Sequence, residues 1–190
     1  MVLYQKFGKR ILDIFIVFTA VVILSPLMIF IAVLIKVFDP GPIFFKQERV
    51  GRFGNKFWFY KFRSMPVNTG DISSDKVGEI KLTWVGKVIR RTNLDELPQL
   101  LNILKGDMSV VGPRPPIPNQ LELIELRKNN KSINIPPGLT GFAQIKSFDG
   151  MSVGRKAEFD MEYANDITIL NDLKIILGTF LYLLKPPPVY

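Results

Sequence analysis

Residues 91–102 read RTNLDELPQLLN, and in them two acids, Asp95 and Glu96, stand side by side between leucines and just ahead of Pro98. Adjacent carboxylates suit phosphoryl chemistry: one attacks phosphorus to give an acyl phosphate, and the other holds a divalent ion that binds the same phosphate. Successive helical residues point about 100° apart, so the pair would divide these roles. A helix start also concentrates unpaired N–H groups, where an anionic phosphate settles. The plainer reading is helix punctuation. With Asn93 as N-cap, Glu96 at N3 completes a capping box and Asp95 at N2 complements the helix dipole. Pro98 then falls at a helical position where its missing N–H would have paired, and a helix beginning at Pro98 itself is the competing register. Spacing alone leaves both readings open.

A diphosphate repels a carboxylate, so this chemistry needs cations around it. Lys61 and Arg63 leave an expected hairpin, Arg90 and Arg91 precede the acids, and Arg114 stands between Pro113 and Pro115. A guanidinium binds phosphate oxygens in pairs, and the flanking prolines fix the backbone that carries it. Each base alone reads as a solvated surface charge. Their joint occurrence with an acidic pair and an apolar segment gives them weight.

The 190-residue chain contains no Cys and no His. That excludes a thiol nucleophile, a thiolate metal site, an imidazole base and a disulfide framework. Any metal would be bound through oxygen, which selects a hard ion such as magnesium, manganese or calcium. A formal charge of +8 favours an anionic partner.

The elements that must position these groups begin with an apolar run from Ile14 to Ile35, interrupted only by Thr19, Ser25 and Pro26. It is long enough to cross a bilayer and lacks the cleavage site of a signal peptide. Pro26 would break or kink a helix, and the neighbouring Ser25 can rescue a freed backbone group. Lys6, Lys9 and Arg10 precede the run, and Lys36, Lys46, Arg49 and Arg52 follow it, so both ends claim the cytoplasmic side. Residues 1–38 are therefore read as a re-entrant helix-break-helix, with a kinked straight span as the alternative, and 39–190 as a cytoplasmic catalytic domain.

Aromatic and β-branched runs at 43–50 and 56–63 flank a Gly-rich turn and predict a β-hairpin. Its basic and aromatic residues also suit single-stranded nucleic acid, but alternate aromatics of a hairpin are core and its bases suit lipid phosphates, so nucleic acid is not expected. Residues 68–80 read as a loop, WVGKVIRR and LPQLLNILKG as short helices, and VGPRPPIP as a Pro-rich loop. NQLELIELRKNN is helical, PPGLTG a turn, GRKAEFDMEYAND helical, and NDLKIILGTFLYLLK an apolar segment, too short to span comfortably, that lies at the membrane interface or packs beside the first segment. The fold class is α+β, mostly helical, with one hairpin and several short and interfacial amphipathic helices.

The motif order KRILDI, SP, DPGPIFFKQERVGRFG, KFRSM, RRTNLDELPQLLNILKGDMSVVGPRP and PPGLTGFAQI resembles the bacterial sugar transferase family, and more narrowly its small monotopic phosphoglycosyl transferases. The likeness runs from about Lys9 to Thr179. It implies transfer of a phosphosugar from a UDP-sugar donor to a polyprenyl (undecaprenyl) phosphate acceptor at the cytoplasmic face of the bacterial inner membrane. UMP is released, and the product starts a glycoconjugate. The resemblance also implies magnesium, with manganese as the alternative ion, and a covalent phosphosugar on Asp95, with Glu96 as the acid associated with the metal. Lys61, Arg63, Arg90 and Arg114 would line the phosphate site, with Pro113 and Pro115 positioning the loop. Ser25 and Pro26 match the break of the family's re-entrant helix. Anionic membrane lipid is a further expected partner, and homo-oligomerisation is left open. Asn93 stands where the family often has serine, and KSFDG stands where it often has an Asn-Gly-Arg turn, so residues 146–150 assign no sugar. The rival functions are a non-catalytic membrane-surface module and a phosphoanhydride hydrolase using the same aspartate.

Overall fold

The computed structural model describes residues 3–67, 82–146 and 151–183. The loop read at 68–80, most of KSFDG and the terminal KPPPVY lie outside the described residues.

A π-helical turn, Tyr4–Gly8, leads into one long helix, α1, Lys9–Phe38. Strands β1, Phe44–Val50, and β2, Lys56–Phe62, form the expected antiparallel hairpin around a 3₁₀ turn at Arg52–Gly54. Helix α2, Trp84–Arg91, starts where the Thr83 hydroxyl accepts from the Gly86 amide. Helix α3, Gln99–Lys105, ends at Gly106, whose φ of 97° suits glycine. Strand β3, Ser109–Val111, then leads by the Pro-rich loop to α4, Leu121–Asn129. Strand β4, Gly138–Thr140, is followed by α5, Phe142–Lys146, α6, Val153–Asn165, and α7, Ile169–Leu183.

A parallel β3–β4 pair, with Ser109 opposite Gly138 and Val111 opposite Thr140, corrects the reading of PPGLTG as a plain turn and of the sheet content as one hairpin. The backbones approach so closely that a Cβ on Gly138 would lie 2.1 Å from the Gly112 nitrogen. Only glycine fits there.

Alternation along β2 sends Phe59 and Phe62 to different cores. Phe59 joins Val17, Leu100, Ile103, Met108, Val111, Tyr163 and Ile175. Phe62 joins Ile31 and Ile35 of α1 with Val85 and Ile89 of α2. Fully burying a side chain such as Ile103 contributes about 1.5–3 kcal/mol. Helix α1 thus packs on the rest of the chain near both of its ends. Its remaining surface, including Phe15, Phe18, Ile23, Phe30 and Val33, is exposed. An uncovered apolar face of this length calls for a lipid or protein contact, and the helix is long and apolar enough to cross a membrane.

The expected break at Ser25 and Pro26 is corrected, because α1 runs through both residues as one helix. Pro26 has no N–H for the Val22 carbonyl four residues back, and the Ser25 hydroxyl donates to that carbonyl instead, at 3.1 Å. Ser25→Ala is therefore expected to cost about 1 kcal/mol of stability, and much less on a Pro26→Ala chain, where a backbone N–H makes the bond. Denaturation in nanodiscs checks this; equal costs in the two backgrounds would contradict it.

Two of the charges read as membrane flanks are used inside the protein. Lys9 is buried and pairs with Asp172 at 2.7 Å. Arg10 donates to the carbonyls of Ile103 and Leu104 at 2.6 and 2.9 Å, satisfying the end of α3. Asp172 also accepts from the hydroxyls of Tyr4 and Tyr163, at 2.6 and 2.7 Å, and Asp13 accepts from the Val110 amide at 3.0 Å. This buried network ties the start of α1 to β3, α6 and α7.

Candidate active site

Asp95 and Glu96 lie on a 3₁₀ turn, Leu94–Glu96, between α2 and α3. Asn93 takes a left-handed backbone, φ 55°, which asparagine tolerates, and its side chain makes no cap hydrogen bond. The capping box is therefore not formed. Instead α3 starts at Gln99 with Pro98 as its N-cap, so the helix begins next to the proline, in the competing register.

With no capping duty, the two carboxylates face cations from other elements. Lys61, the penultimate residue of β2, places Nζ 2.7 Å from Glu96 Oε1 and 3.3 Å from Asp95 Oδ2. Arg114 Nη2 reaches the same Glu96 oxygen at 2.8 Å. Asp95 is only 6% exposed. Hairpin, acidic turn and Pro-rich loop thus meet at one point.

The Pro-rich loop is held through its carbonyls, since Pro113, Pro115 and Pro116 have no N–H to offer. Pro113 O accepts from the Gly138 amide at 2.9 Å and Pro116 O from the Val50 amide at 2.9 Å. Arg114 O accepts from Arg127 Nη1 at 2.9 Å, and Pro115 O from Arg49 Nη1 at 3.1 Å. Four successive carbonyls are tied to β4, α4 and β1, so the Arg114 side chain projects from a backbone with little freedom.

The sequence-derived phosphate residues do not all converge. Lys61 and Arg114 contact the acids, and the charge of Arg90 acts on Asp95. Arg63 is placed elsewhere: buried, it pairs with Asp39 at 3.3 Å and also donates to the Asp39 carbonyl, closing the end of α1. Two further residues hold the loop: Arg49, which the sequence marked only as a membrane-flanking charge, and Arg127, which it did not mark. Their partners lie 66 residues away in one case and 13 and 33 in the other, and nothing local in the sequence announces such pairings.

The environment pushes the two carboxyls apart. Burial raises the Asp95 carboxyl above its ordinary value and the Glu96 charge adds to this, against the opposing charges of Lys61 and Arg90. Burial works the same way on Glu96, but Arg114 and Lys61 together outweigh it and hold that carboxyl below the usual carboxylate range. Glu96 is thus a firm anion, while Asp95 keeps the more basic oxygen of the two. Such divergence is how neighbouring carboxyls take different chemical roles.

The donor set suits a hard divalent ion. Among the described residues no group of three or more acidic, His or Cys side chains surrounds a metal-sized point. One or two carboxylates completed by substrate phosphate oxygens is nevertheless the usual way magnesium is bound, and Glu96 with Asp95 supplies that part.

A sequence profile described as bacterial sugar transferase matches residues 4–186. The chain is 37% identical over 190 residues to the exopolysaccharide production protein PSS of Rhizobium leguminosarum bv. phaseoli, covering 90% of this chain and 92% of the relative. It is 38% identical over 180 residues to a UDP-N-acetylgalactosamine-undecaprenyl-phosphate N-acetylgalactosaminephosphotransferase of Aeromonas hydrophila, covering 91% of this chain and 43% of the relative. It is also 38% identical over 185 residues to the UDP-glucose:undecaprenyl-phosphate glucose-1-phosphate transferase of Escherichia coli (strain K12), covering 90% and 39%. With nearly its whole length matched, and an acidic pair and its cations gathered from three separate segments of that length, the chain is a sugar transferase and belongs to the bacterial sugar transferase family.

Proposed function

We propose that this chain transfers a phosphosugar from a UDP-sugar to a polyprenyl phosphate, through a covalent intermediate on Asp95. The observation that carries the reading is the meeting of Lys61 and Arg114, from two other elements, with Asp95 and Glu96 on one turn. An Asp95 oxygen attacks the phosphorus that bears the sugar. The new O–P bond forms as the bond from that phosphorus to the bridging oxygen breaks, and UMP leaves with the electron pair. A phosphate oxygen of the polyprenyl acceptor then attacks the same phosphorus, and the Asp95 carboxylate departs. Lys61 and Arg114 stabilise the charge on the phosphoryl oxygens, and burial limits competing water. Glu96, beside Asp95, would hold magnesium or manganese, which supplies charge neutralisation on the diphosphate when bound.

The acceptor is a lipid, and the molecule offers a lipid-facing surface to meet it. Helix α1 exposes its apolar face, and α7 exposes Leu170, Leu173, Leu177, Phe180 and Leu181. Because α1 is packed on the same body near both ends, entry and return on one membrane face, with the helix bending at Pro26 but staying continuous, fits the contacts better than a straight crossing. A straight crossing would part residues 9–17 from 31–35 by most of the bilayer thickness. We place that face on the cytoplasmic side of the inner membrane, where UDP-sugars are made.

Intact-mass spectrometry of the purified chain tests the reaction. With a UDP-sugar panel and magnesium but no acceptor, a sugar-phosphate adduct should appear on the peptide holding Asp95. EDTA should suppress it and polyprenyl phosphate should discharge it. Discharge by water at the same rate would favour a hydrolase, and no adduct with any donor would overturn the proposal.

A further inference from the structure

We propose that Arg127, gripped by Asp160, is a positioning residue that sets the Arg114 guanidinium against Glu96; this rests on the phosphoryl-transfer reading of the site. Arg127 leaves α4 and is 4% exposed, and Asp160 leaves α6 and is 2% exposed. Nε and Nη2 of Arg127 both donate to Asp160 Oδ2, at 2.8 and 2.6 Å. The remaining arm, Nη1, donates to the carbonyl of Arg114 at 2.9 Å. Arg114 in turn reaches Glu96 Oε1 at 2.8 Å. A relay of three contacts, buried at Asp160 and Arg127 and exposed at Arg114, therefore runs from α6 to the acidic turn.

Helix docking alone does not account for this pair. Two buried charges lose their hydration, and a well-packed apolar pair joins α4 to α6 as well or better. What an apolar pair lacks is a third donor aimed at the loop. Of the four carbonyl ties, those from Gly138 and Val50 are backbone bonds, and the Arg49 tie serves Pro115. Arg127 is the one that holds the carbonyl of the arginine itself. Pro113 and Pro115 limit the backbone on either side of Arg114, so fixing this carbonyl orients its peptide plane and the direction in which the side chain leaves.

Neither Arg127 nor Asp160 touches the acids, so both act through Arg114. A double-mutant cycle with full-length protein in nanodiscs tests this. Arg127→Met should lower kcat for UMP release about 30-fold in the wild-type background, as a misplaced phosphate ligand would. In the Arg114→Gln background it should change kcat little, with the same Tm cost in both. An equal kcat loss in both backgrounds would reduce Arg127 to a structural ion pair. Asp160→Asn, which preserves shape, repeats the cycle if Arg127→Met does not fold. Hydrogen exchange supplies a readout independent of turnover. The tether predicts faster exchange at the amides the Pro-rich loop retains, those of Gly112, Arg114 and Ile117, with α4 and α6 unchanged, and faster exchange across both helices instead would overturn it. A wild-type chain that released UMP from no donor would remove the transferase reading, while the exchange comparison would still judge the tether.

Discussion

The Asp95→Asn variant is expected to release UMP from UDP-sugar about 10⁴-fold more slowly than wild type, because the amide cannot form the bond to phosphorus. Its Tm at neutral pH is expected to equal or exceed that of wild type. The Asp95 carboxyl titrates above its ordinary value in the folded chain, so between these two values the folded state holds the extra proton. Stability contributed by this group declines as pH rises through that window, and at higher pH the ionised side chain opposes folding. Asparagine removes the opposition. The gain in Tm should shrink as pH falls below the ordinary aspartate value, where both forms are neutral. Steady-state UMP release and thermal denaturation over pH check the two halves together. Turnover comparable to wild type would remove Asp95 as nucleophile, and a lower Tm at neutral pH would contradict the electrostatic account.

Lys61→Met is expected to lower kcat/KM about 10²-fold and to move the acidic limb of its pH profile upward. The ammonium lies against both carboxyls and depresses the titration of each. Without it, Asp95 and Glu96 both bind protons at higher pH, and the nucleophilic anion appears later in the titration. The stability change follows the same sign. Glu96, held low in the folded chain, contributes stability that is present above its ordinary value and lost as pH falls through the folded one. Removing Lys61 diminishes that contribution, so the deficit in Tm should be largest near neutral pH and fade on acidification. Lys61→Arg keeps the charge and should recover part of the rate. A limb that stayed in place in Lys61→Met would separate the lysine from the titration of the acids.

What could be read from the chain was local. The hairpin was legible because runs of aromatic and β-branched residues stand on either side of a glycine-rich turn, and Lys61 came with it. The acidic pair was legible as chemistry or as punctuation, and tertiary contact decided: Glu96 turns to Lys61 and Arg114, leaving Asn93 without a capping role. Strands β3 and β4 were not legible, since three residues carry no period and each strand is defined by its distant partner. Charge misled in a consistent way. Lys9, Arg10 and Arg63 looked solvated or substrate-facing, yet each is engaged by a partner inside the chain, because a composition rule counts a base without knowing which carboxylate or carbonyl the fold brings to it. The Pro26 break was misjudged for a related reason: the serine one position earlier supplies the missing donor.

Val17, Ile31 and Ile35 belong to α1, yet they complete the two main interior clusters that the rest of the chain builds. Anchor and enzyme are therefore one cooperative unit. A fragment shorn of its first 38 residues would be left with two open cavities and an Asp172 deprived of Lys9 and Tyr4, so it should be recovered as an aggregate rather than as a soluble catalyst. During biosynthesis the same dependence orders events: α1 is made well before α7, and its Lys9 finds Asp172 only after α7 has been made. Maturation thus closes a loop between two segments 163 residues apart in the chain.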